Sequence, residues 1–315
     1  MSRVARPLTI AVIAPLRHPI REPHAGGLEA AVWDRVRLLR ARGHRVLLCA
    51  SAGSDFLEDG PDEFVLPAAV WDDPDEATDT TYPPGHLERA TQALERALDF
   101  IAAHAPQFDL IDNHSLQGTA LAAAGDLGVP MLTTLHTPPL GDMLAAHAMA
   151  TGNRSAFSAV SAHTAAEWRA EGIDARVVPN AIDADRWGLG EGGRDFVWFG
   201  RIVPEKGTHL AIEAARFAGR RLRIAGRIGD ADYFEQFVEP RLGRMVDYLG
   251  PLRQPALAEL VGGSACALVT PVWEEPFGLV IAEALMTGTP VAAFDTGGVA
   301  EVAGSARASA LVPMG

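Results

Sequence analysis

The chain has 315 residues, 48% of them hydrophobic and 21% charged, and a formal net charge of -13 at pH 7. That length predicts about two domains, each able to bury its own core. The acidic balance argues against a nucleic-acid ligand and against stable docking on an anionic membrane, because both require a basic surface. No apolar run reaches the roughly 18 residues that a transmembrane helix needs, and no targeting segment is recognisable, so we expect a cytoplasmic protein.

Strands and helices alternate along the first half of the chain. An apolar strand at 8–14 is followed by a glycine-rich loop, an amphipathic helix that starts at residue 28, and a strand at 46–50. The same pattern predicts a helix at 86–104, a strand at 108–114, a helix to about 126, and strands at 130–136 and 156–160. An acidic, proline-rich stretch at 55–85 lacks periodicity, and we expect it to be an irregular surface excursion.

The second half repeats this alternation after an aperiodic linker at 180–195. Strand FVWFG is followed by a helix at 207–218 and by the strands RLRIAG, VDYLG, CALVTP and PVAAFD, with helices between them. The pattern predicts an α/β protein with two Rossmann-like, doubly wound parallel-sheet domains, 1–184 and 185–315, that face a crevice. Ligands in such folds bind at the carboxyl ends of the strands. The glycine pattern of a dinucleotide-binding dehydrogenase is absent after the first strand, which disfavours hydride transfer.

Lys206 is the only lysine in the chain, and every other basic residue is arginine or histidine. It follows strand FVWFG in the string GRIVPEKG, so Arg201 and Lys206 are both expected on the crevice side. Two cations there could neutralise a diphosphate, with lysine acting as a compact charge where a planar guanidinium is too bulky. The alternative is a lysine at a helix start that is exposed to water.

A second candidate segment, WEEPFGLVIAEALMTGTP, follows strand CALVTP. The start of its helix, at Phe277, Gly278 and Leu279, offers backbone amides to an anion. Glu283 lies one turn later on the same helical face and could bind a ribose, while Glu275 in the preceding loop could reach a sugar. A solvent-facing position on a packed helix is the alternative for Glu283.

These strings, together with VVPNAID, resemble the retaining glycosyltransferases of family 4, which have the GT-B fold. The resemblance covers most of the chain. It implies retaining transfer of a sugar from a nucleotide-sugar donor, by default UDP-glucose and then GDP-mannose, with no metal ion or other cofactor. We expect the acceptor to be a soluble small molecule, because the segment 116–126 has no basic residue that would favour anionic lipid.

The resemblance also assigns roles to residues. It implies that Glu275, His136, Lys206 and Arg201 serve the transfer, and that His114 and His136 contact the acceptor. A structural role is the alternative for His114, because a histidine at a strand end often has one. The implied donor-binding residues are Gly26, Gly27, Arg201, Lys206, Arg227, Leu252, Glu275, Phe277, Gly278, Leu279 and Glu283, with Arg227 and Leu252 near the base.

The chain departs from the family pattern in two places. Ala181 follows the Asn of VVPN where the family usually has glycine, and the sequence stops at residue 315, before the closing helices typical of the family. The resemblance is therefore to a short or C-terminally truncated member.

Other functions remain open from the sequence. Three D-x-D strings, at 73–75, 183–185 and 230–232, raise a metal-dependent transferase of a different fold, although Asp230 is better explained as a helix cap. The main alternative to the transferase is a non-catalytic nucleotide-sugar-binding protein, because the closing helices typical of the family are missing. A nucleotide-sugar epimerase is the third.

Overall fold

We describe a computed structural model of the chain, in which the described residues are 6–72, 78–79, 81–150, 155–304 and 306–314. The strands are β1 Thr9–Ile13, β2 Arg45–Ser51, β3 Val65–Leu66, β4 Leu110–Asn113, β5 Met131–Leu135, β6 Ala156–Ala159, β7 Arg176–Val177, β8 Phe196–Phe199, β9 Leu222–Ala225, β10 Val246–Tyr248, β11 Cys266–Val269, β12 Val291–Phe294 and β13 Ser309–Val312. The helices are α1 Gly27–Ala41, α2 His86–Ala103, α3 Thr119–Ala123, α4 Gly141–Met149, α5 Ala162–Ala170, α6 Thr208–Phe217, α7 Ala231–Tyr233, α8 Gln254–Gly262, α9 Leu279–Met286 and α10 Val299–Ala303.

The strands form two separate parallel sheets. The first has the order β3-β2-β1-β4-β5-β6-β7, and the second has the order β10-β9-β8-β11-β12-β13. Each sheet grows outward in both directions from its first strand, which is the doubly wound arrangement. The predicted fold class, two Rossmann-like parallel sheets in an α/β protein, is confirmed.

Each sheet has a hydrophobic core on both faces, because alternate residues of its central strands point in opposite directions. In β1, Ala11 and Ile13 pack into one cluster, while Ile10 and Val12 pack into the cluster on the other face. In β8, Trp198 packs into the cluster on one face of the second sheet, while Val197 and Phe199 pack into the cluster on the other face. Strands buried on both faces explain why these segments are continuous apolar runs rather than alternating ones.

The topology brings the predicted site segments to one edge of each sheet. The strand order reverses between β1 and β4 in the first sheet and between β8 and β11 in the second. The glycine-rich loop follows β1, the loop with Arg201 and Lys206 follows β8, and the loop with Glu275 follows β11. All three loops therefore leave from the carboxyl ends of strands at the reversal points, where ligands bind in such folds.

Some elements differ from the sequence-based expectation. The helix expected to reach about 126 ends at Ala123, and α4 was not predicted. The two helices pack closely, since a Cβ at Gly118 would lie 2.5 Å from the Asp142 carbonyl oxygen. Cys49 is buried and Cys266 is half-buried, and both are free thiols. Among the described residues, no helix has the length and apolar character to cross a bilayer.

Candidate active site

A cavity of about 720 Å³ lies between the carboxyl ends of the two sheets. The structure places His114 elsewhere: its side chain is buried behind the ring of His136. The predicted acceptor contact of His114 is therefore not possible from the surface of the cavity. The other predicted site residues all line it, namely Gly26, Gly27, His136, Arg201, Lys206, Arg227, Leu252, Glu275, Phe277, Gly278, Leu279 and Glu283.

Two helix N-termini meet across this cavity. Helix α1 begins at Gly27 and α9 at Leu279, and neither has a side-chain cap on its first amides. The two starts are close, because a Cβ built on Gly27 would lie 3.8 Å from the Leu279 side chain. Gly278, which precedes α9, has φ of 82°, a left-handed conformation that favours glycine. Uncapped amides and two helix dipoles make the space between them favourable for an anion.

Lys206 ends a short 3-10 turn, Pro204–Lys206, and lines the cavity. Gly207 follows with φ of 63°, and a Cβ there would lie 2.1 Å from the Thr270 carbonyl oxygen, so the turn requires glycine. Lys206 Nζ donates to Glu275 Oε2 at 2.6 Å, and the Trp273 indole donates to the same oxygen at 2.9 Å. The Lys206 side chain is only 23% exposed, so the alternative of a water-exposed lysine is wrong.

Arg201 and Arg227, expected near the donor, are both paired with Asp79. Arg201 Nη1 donates to Asp79 Oδ2 at 2.8 Å, and Arg227 donates to the other carboxylate oxygen, which also lies 3.3 Å from His18 Nε2. Burial alone would raise the pKa of Asp79, but these contacts outweigh it and hold that pKa well below its usual range. The acidic stretch at 55–85 is therefore not only a surface excursion, because Asp79 reaches from it into the cavity.

Glu283 is 9% exposed, so the alternative of a solvent-facing position is wrong. Within the described part of the chain, its carboxyl group has no hydrogen-bond or ion-pair partner in contact. Burial, and to a lesser extent the charge of Asp34, raise the pKa of Glu283 to about 8 against the opposing effect of Arg186. The group is therefore mostly protonated at neutral pH and can donate as well as accept a hydrogen bond.

His136 is held from behind by a buried polar chain. Its Nε2 is 2.8 Å from His114 Nδ1, and His114 Nε2 is 3.3 Å from Asp112 Oδ1. Burial, with help from His114 and Arg35, places the pKa of His136 well below its usual value, so the ring is neutral. Burial would raise the pKa of Asp112, but His114 and Arg35 outweigh it, and the carboxyl group is ionised.

The D-x-D strings have structural roles where they can be seen. Asp230 caps α7 by accepting a hydrogen bond from the Tyr233 amide at 2.8 Å, which confirms the cap. Asp183 pairs with Arg37. The string at 73–75 lies outside the described residues. In the described part of the chain, no group of three or more His, Cys, Asp or Glu side chains is placed to hold a metal ion.

Sequence reasoning missed several residues of the site. Three of them, Asp79, His18 and Trp273, contact predicted site residues directly. The fourth, Asp112, contacts His114. Asp112 had a detectable signal, because it is a lone charge inside the apolar strand segment LIDN. Asp79 had none, since it is one of many acidic residues in an aperiodic stretch.

Two family models match the chain, and they divide it between the two sheets. The model for Glycosyltransferase Family 4 matches residues 25–186, and the model for Glycosyl transferases group 1 matches residues 181–314.

Curated relatives agree with these models. A glycogen synthase of Mycobacterium tuberculosis is 35% identical over 40% of this chain, and the chain spans only 33% of its length. A D-inositol 3-phosphate glycosyltransferase of Mycolicibacterium paratuberculosis is 29% identical, with 94% of this chain and 77% of the relative covered.

Solved structures show the same fold at lower identity. HepE from Anabaena, in complex with UDP and glucose, has a TM-score of 0.71 at 20% identity, with 98% of this chain and 86% of that chain covered. AviGT4, a glycosyltransferase of avilamycin A biosynthesis, has a TM-score of 0.67 at 24% identity, with 98% and 85% covered. The solved structures show the GT-B fold, and because the model for Glycosyltransferase Family 4 matches more than half of the chain, the chain belongs to that family.

Proposed function

We propose that the protein transfers a sugar, with retention at the anomeric carbon and without a metal ion, from a nucleotide-sugar donor to a soluble small-molecule acceptor. UDP-glucose is our default donor. The observation that carries the proposal is the convergence of two uncapped helix starts with Arg201, Lys206 and Arg227 on one cavity between the sheets. An anion of the size of a diphosphate fits the chemistry of that space.

In this proposal the diphosphate lies between the starts of α1 and α9, with Arg201, Arg227 and Lys206 around it. Negative charge builds up on the departing diphosphate as the sugar takes on oxocarbenium character. Fixed donors and cations that face this charge lower the barrier, and such electrostatic stabilisation is usually the largest catalytic contribution. Lysine supplies its charge as a small ammonium group, which can contact Glu275 and a phosphate oxygen from one position.

The remaining residues would hold the rest of the donor. Glu275, fixed by Lys206 and Trp273, can accept hydrogen bonds from sugar hydroxyls. Glu283, one turn into α9, can bind the ribose, and its raised pKa lets it donate to a hydroxyl oxygen. Leu252 and His136 both line the cavity. In this proposal Leu252 would lie near the base, and neutral His136 would face the sugar from the first sheet.

Named relatives support a nucleotide-sugar donor and an acceptor that contains a polyol. HepE has been solved with UDP and with UDP-glucose, which supports a uridine nucleotide as donor. The relatives include a D-inositol 3-phosphate glycosyltransferase and a phosphatidyl-myo-inositol mannosyltransferase, whose acceptors contain a cyclic polyol. The net charge of -13 disfavours binding to anionic lipid, so we propose a soluble polyol or related metabolite rather than a lipid.

Calorimetry with UDP-glucose and GDP-mannose, followed by product analysis with a panel of polyol acceptors, tests the proposal. We expect binding of one donor, transfer that survives EDTA, and an anomeric configuration equal to that of the donor by NMR. Binding without transfer or donor hydrolysis would favour a nucleotide-sugar-binding protein. An isomerised nucleotide sugar would favour an epimerase, and loss of transfer in EDTA would favour a metal-dependent reaction. Tight binding to anionic liposomes would contradict the soluble acceptor.

A further inference from the structure

A chain of four side chains connects helix α1 to the cavity. Arg35 donates to both oxygens of Asp112, with Nη2 3.1 Å from Oδ1. Asp112 contacts His114, and His114 contacts His136, over the 3.3 Å and 2.8 Å distances given above. Asp112 and His114 are 1% and 3% exposed, whereas His136 lines the cavity. A buried ion pair is thus linked to a ring in the candidate active site.

These contacts restrict where the ring protons lie. An ionised carboxylate can only accept hydrogen bonds, so His114 carries a proton on Nε2, which faces Asp112. The contact is long and poorly aligned, so charge attraction holds this proton more than hydrogen-bond geometry does. In a neutral His114, Nδ1 is then an acceptor, and His136 must donate to it from Nε2. The other ring nitrogen of His136, Nδ1, is left without a proton and is therefore an acceptor.

We propose that His114, oriented by Asp112 and Arg35, is a positioning residue that holds His136 in the tautomer with its proton on Nε2. His136 Nδ1 then accepts a hydrogen bond from a sugar hydroxyl in the cavity. The identity of that ligand rests on the proposed function, but the tautomer does not.

The charged groups that face the pair come from two elements. Arg35 from α1 and Asp112 from β4 lie next to His114, and their opposite charges balance.

Two-bond ¹H–¹⁵N correlation spectra of ¹⁵N-labelled protein, assigned with His136→Gln, report the tautomer without any need for turnover. We expect the proton on Nε2 in the wild type. His114→Asn keeps an amide oxygen near the position of Nδ1 and should preserve that tautomer, whereas His114→Leu removes the acceptor and should give a mixture. A wild-type proton on Nδ1 at neutral pH overturns the proposal, and so does an unchanged tautomer in folded His114→Leu. If His114→Leu does not fold, the wild-type spectrum still decides.

Kinetics give a second readout. We expect His114→Leu to lower kcat about tenfold, on the scale of one hydrogen bond, with the donor KM nearly unchanged and most of the rate retained in His114→Asn. Equal losses in both variants would indicate a merely structural role and contradict positioning. A wild type that turns over no donor would refute the proposed function, while the spectra would still test the tautomer.

Discussion

Asp79 forms ion pairs with Arg201 and Arg227, the two arginines that are proposed to bind the diphosphate. Its carboxylate is 7% exposed and contacts Arg201, Arg227 and His18. A diphosphate that binds Arg201 and Arg227 must replace this carboxylate, so the free protein carries an internal competitor. Asp79→Asn keeps the shape of the side chain but removes the charge, and we expect it to bind UDP more tightly.

The size of the effect follows from these contacts. A hydrogen bond to a charged group contributes about 1.5–3 kcal/mol, and the phosphate regains part of what the arginines lose. A net gain of about 1–2 kcal/mol corresponds to a five- to thirtyfold lower Kd for UDP.

Calorimetry with UDP measures this directly, and Asp59→Asn is a matched control. Asp59 lies in the same acidic stretch and pairs with Arg40 at 2.9 Å, but its side chain is 61% exposed and it does not line the cavity. We expect the control to bind UDP like the wild type. Unchanged or weaker UDP binding by Asp79→Asn would refute the reasoning, because it would mean that Asp79 supports the arginines or the ligand instead of competing.

Three further predictions concern the second sheet and its loops. Lys206→Arg should lower turnover about a hundredfold, because the planar guanidinium cannot take the place of the ammonium beside Glu275. The circular dichroism spectrum and the Tm of this variant should stay near those of the wild type. Wild-type turnover in the variant would show that a positive charge of either shape suffices. The pKa of Glu283 is raised from 4.5 to about 8 in the folded state, so the wild type should lose about 1 kcal/mol of unfolding free energy per pH unit as pH rises from 5 to 8. Glu283→Gln has no carboxyl group to ionise and should not show this loss, so its stability relative to the wild type should increase with pH. Parallel curves of Tm against pH for the two proteins would contradict the raised pKa. Gly278→Ala should weaken UDP binding and lower the free energy of unfolding by about 1 kcal/mol, because φ there is 82° and the new Cβ would lie 3.0 Å from the Ile281 side chain. Urea unfolding measures the loss of stability, and calorimetry measures the Kd for UDP. An unchanged Kd would show that the backbone at Gly278 does not contact the anion.

The fold followed from the sequence because strand burial leaves a direct signal. A strand such as β1, covered on both faces, must be apolar throughout, and its length and spacing from the next helix are visible in the chain. The order of the strands then places loop residues such as Lys206 and Glu275 at one edge. The candidate site residues in these loops were therefore predictable from the positions of the strands alone.

Pairing between distant side chains was not predictable in this way. The stretch that contains Asp79 has no periodicity, so nothing in it indicates that one carboxylate reaches two arginines more than 100 positions away. His114 was placed correctly at a strand end, but residue order does not tell whether such a side chain reaches the cavity or packs behind a neighbour. Its burial depends on how closely β4 and β5 pair, which brings His114 against His136.

A crystal structure of the protein with UDP bound tests the central claim most directly. We expect the diphosphate between the starts of α1 and α9, in contact with the backbone at Gly278 and Leu279 and with Arg201 and Lys206, and the Asp79 carboxylate displaced. A nucleotide found elsewhere, with this cavity empty and the Asp79 contacts intact, would contradict the account.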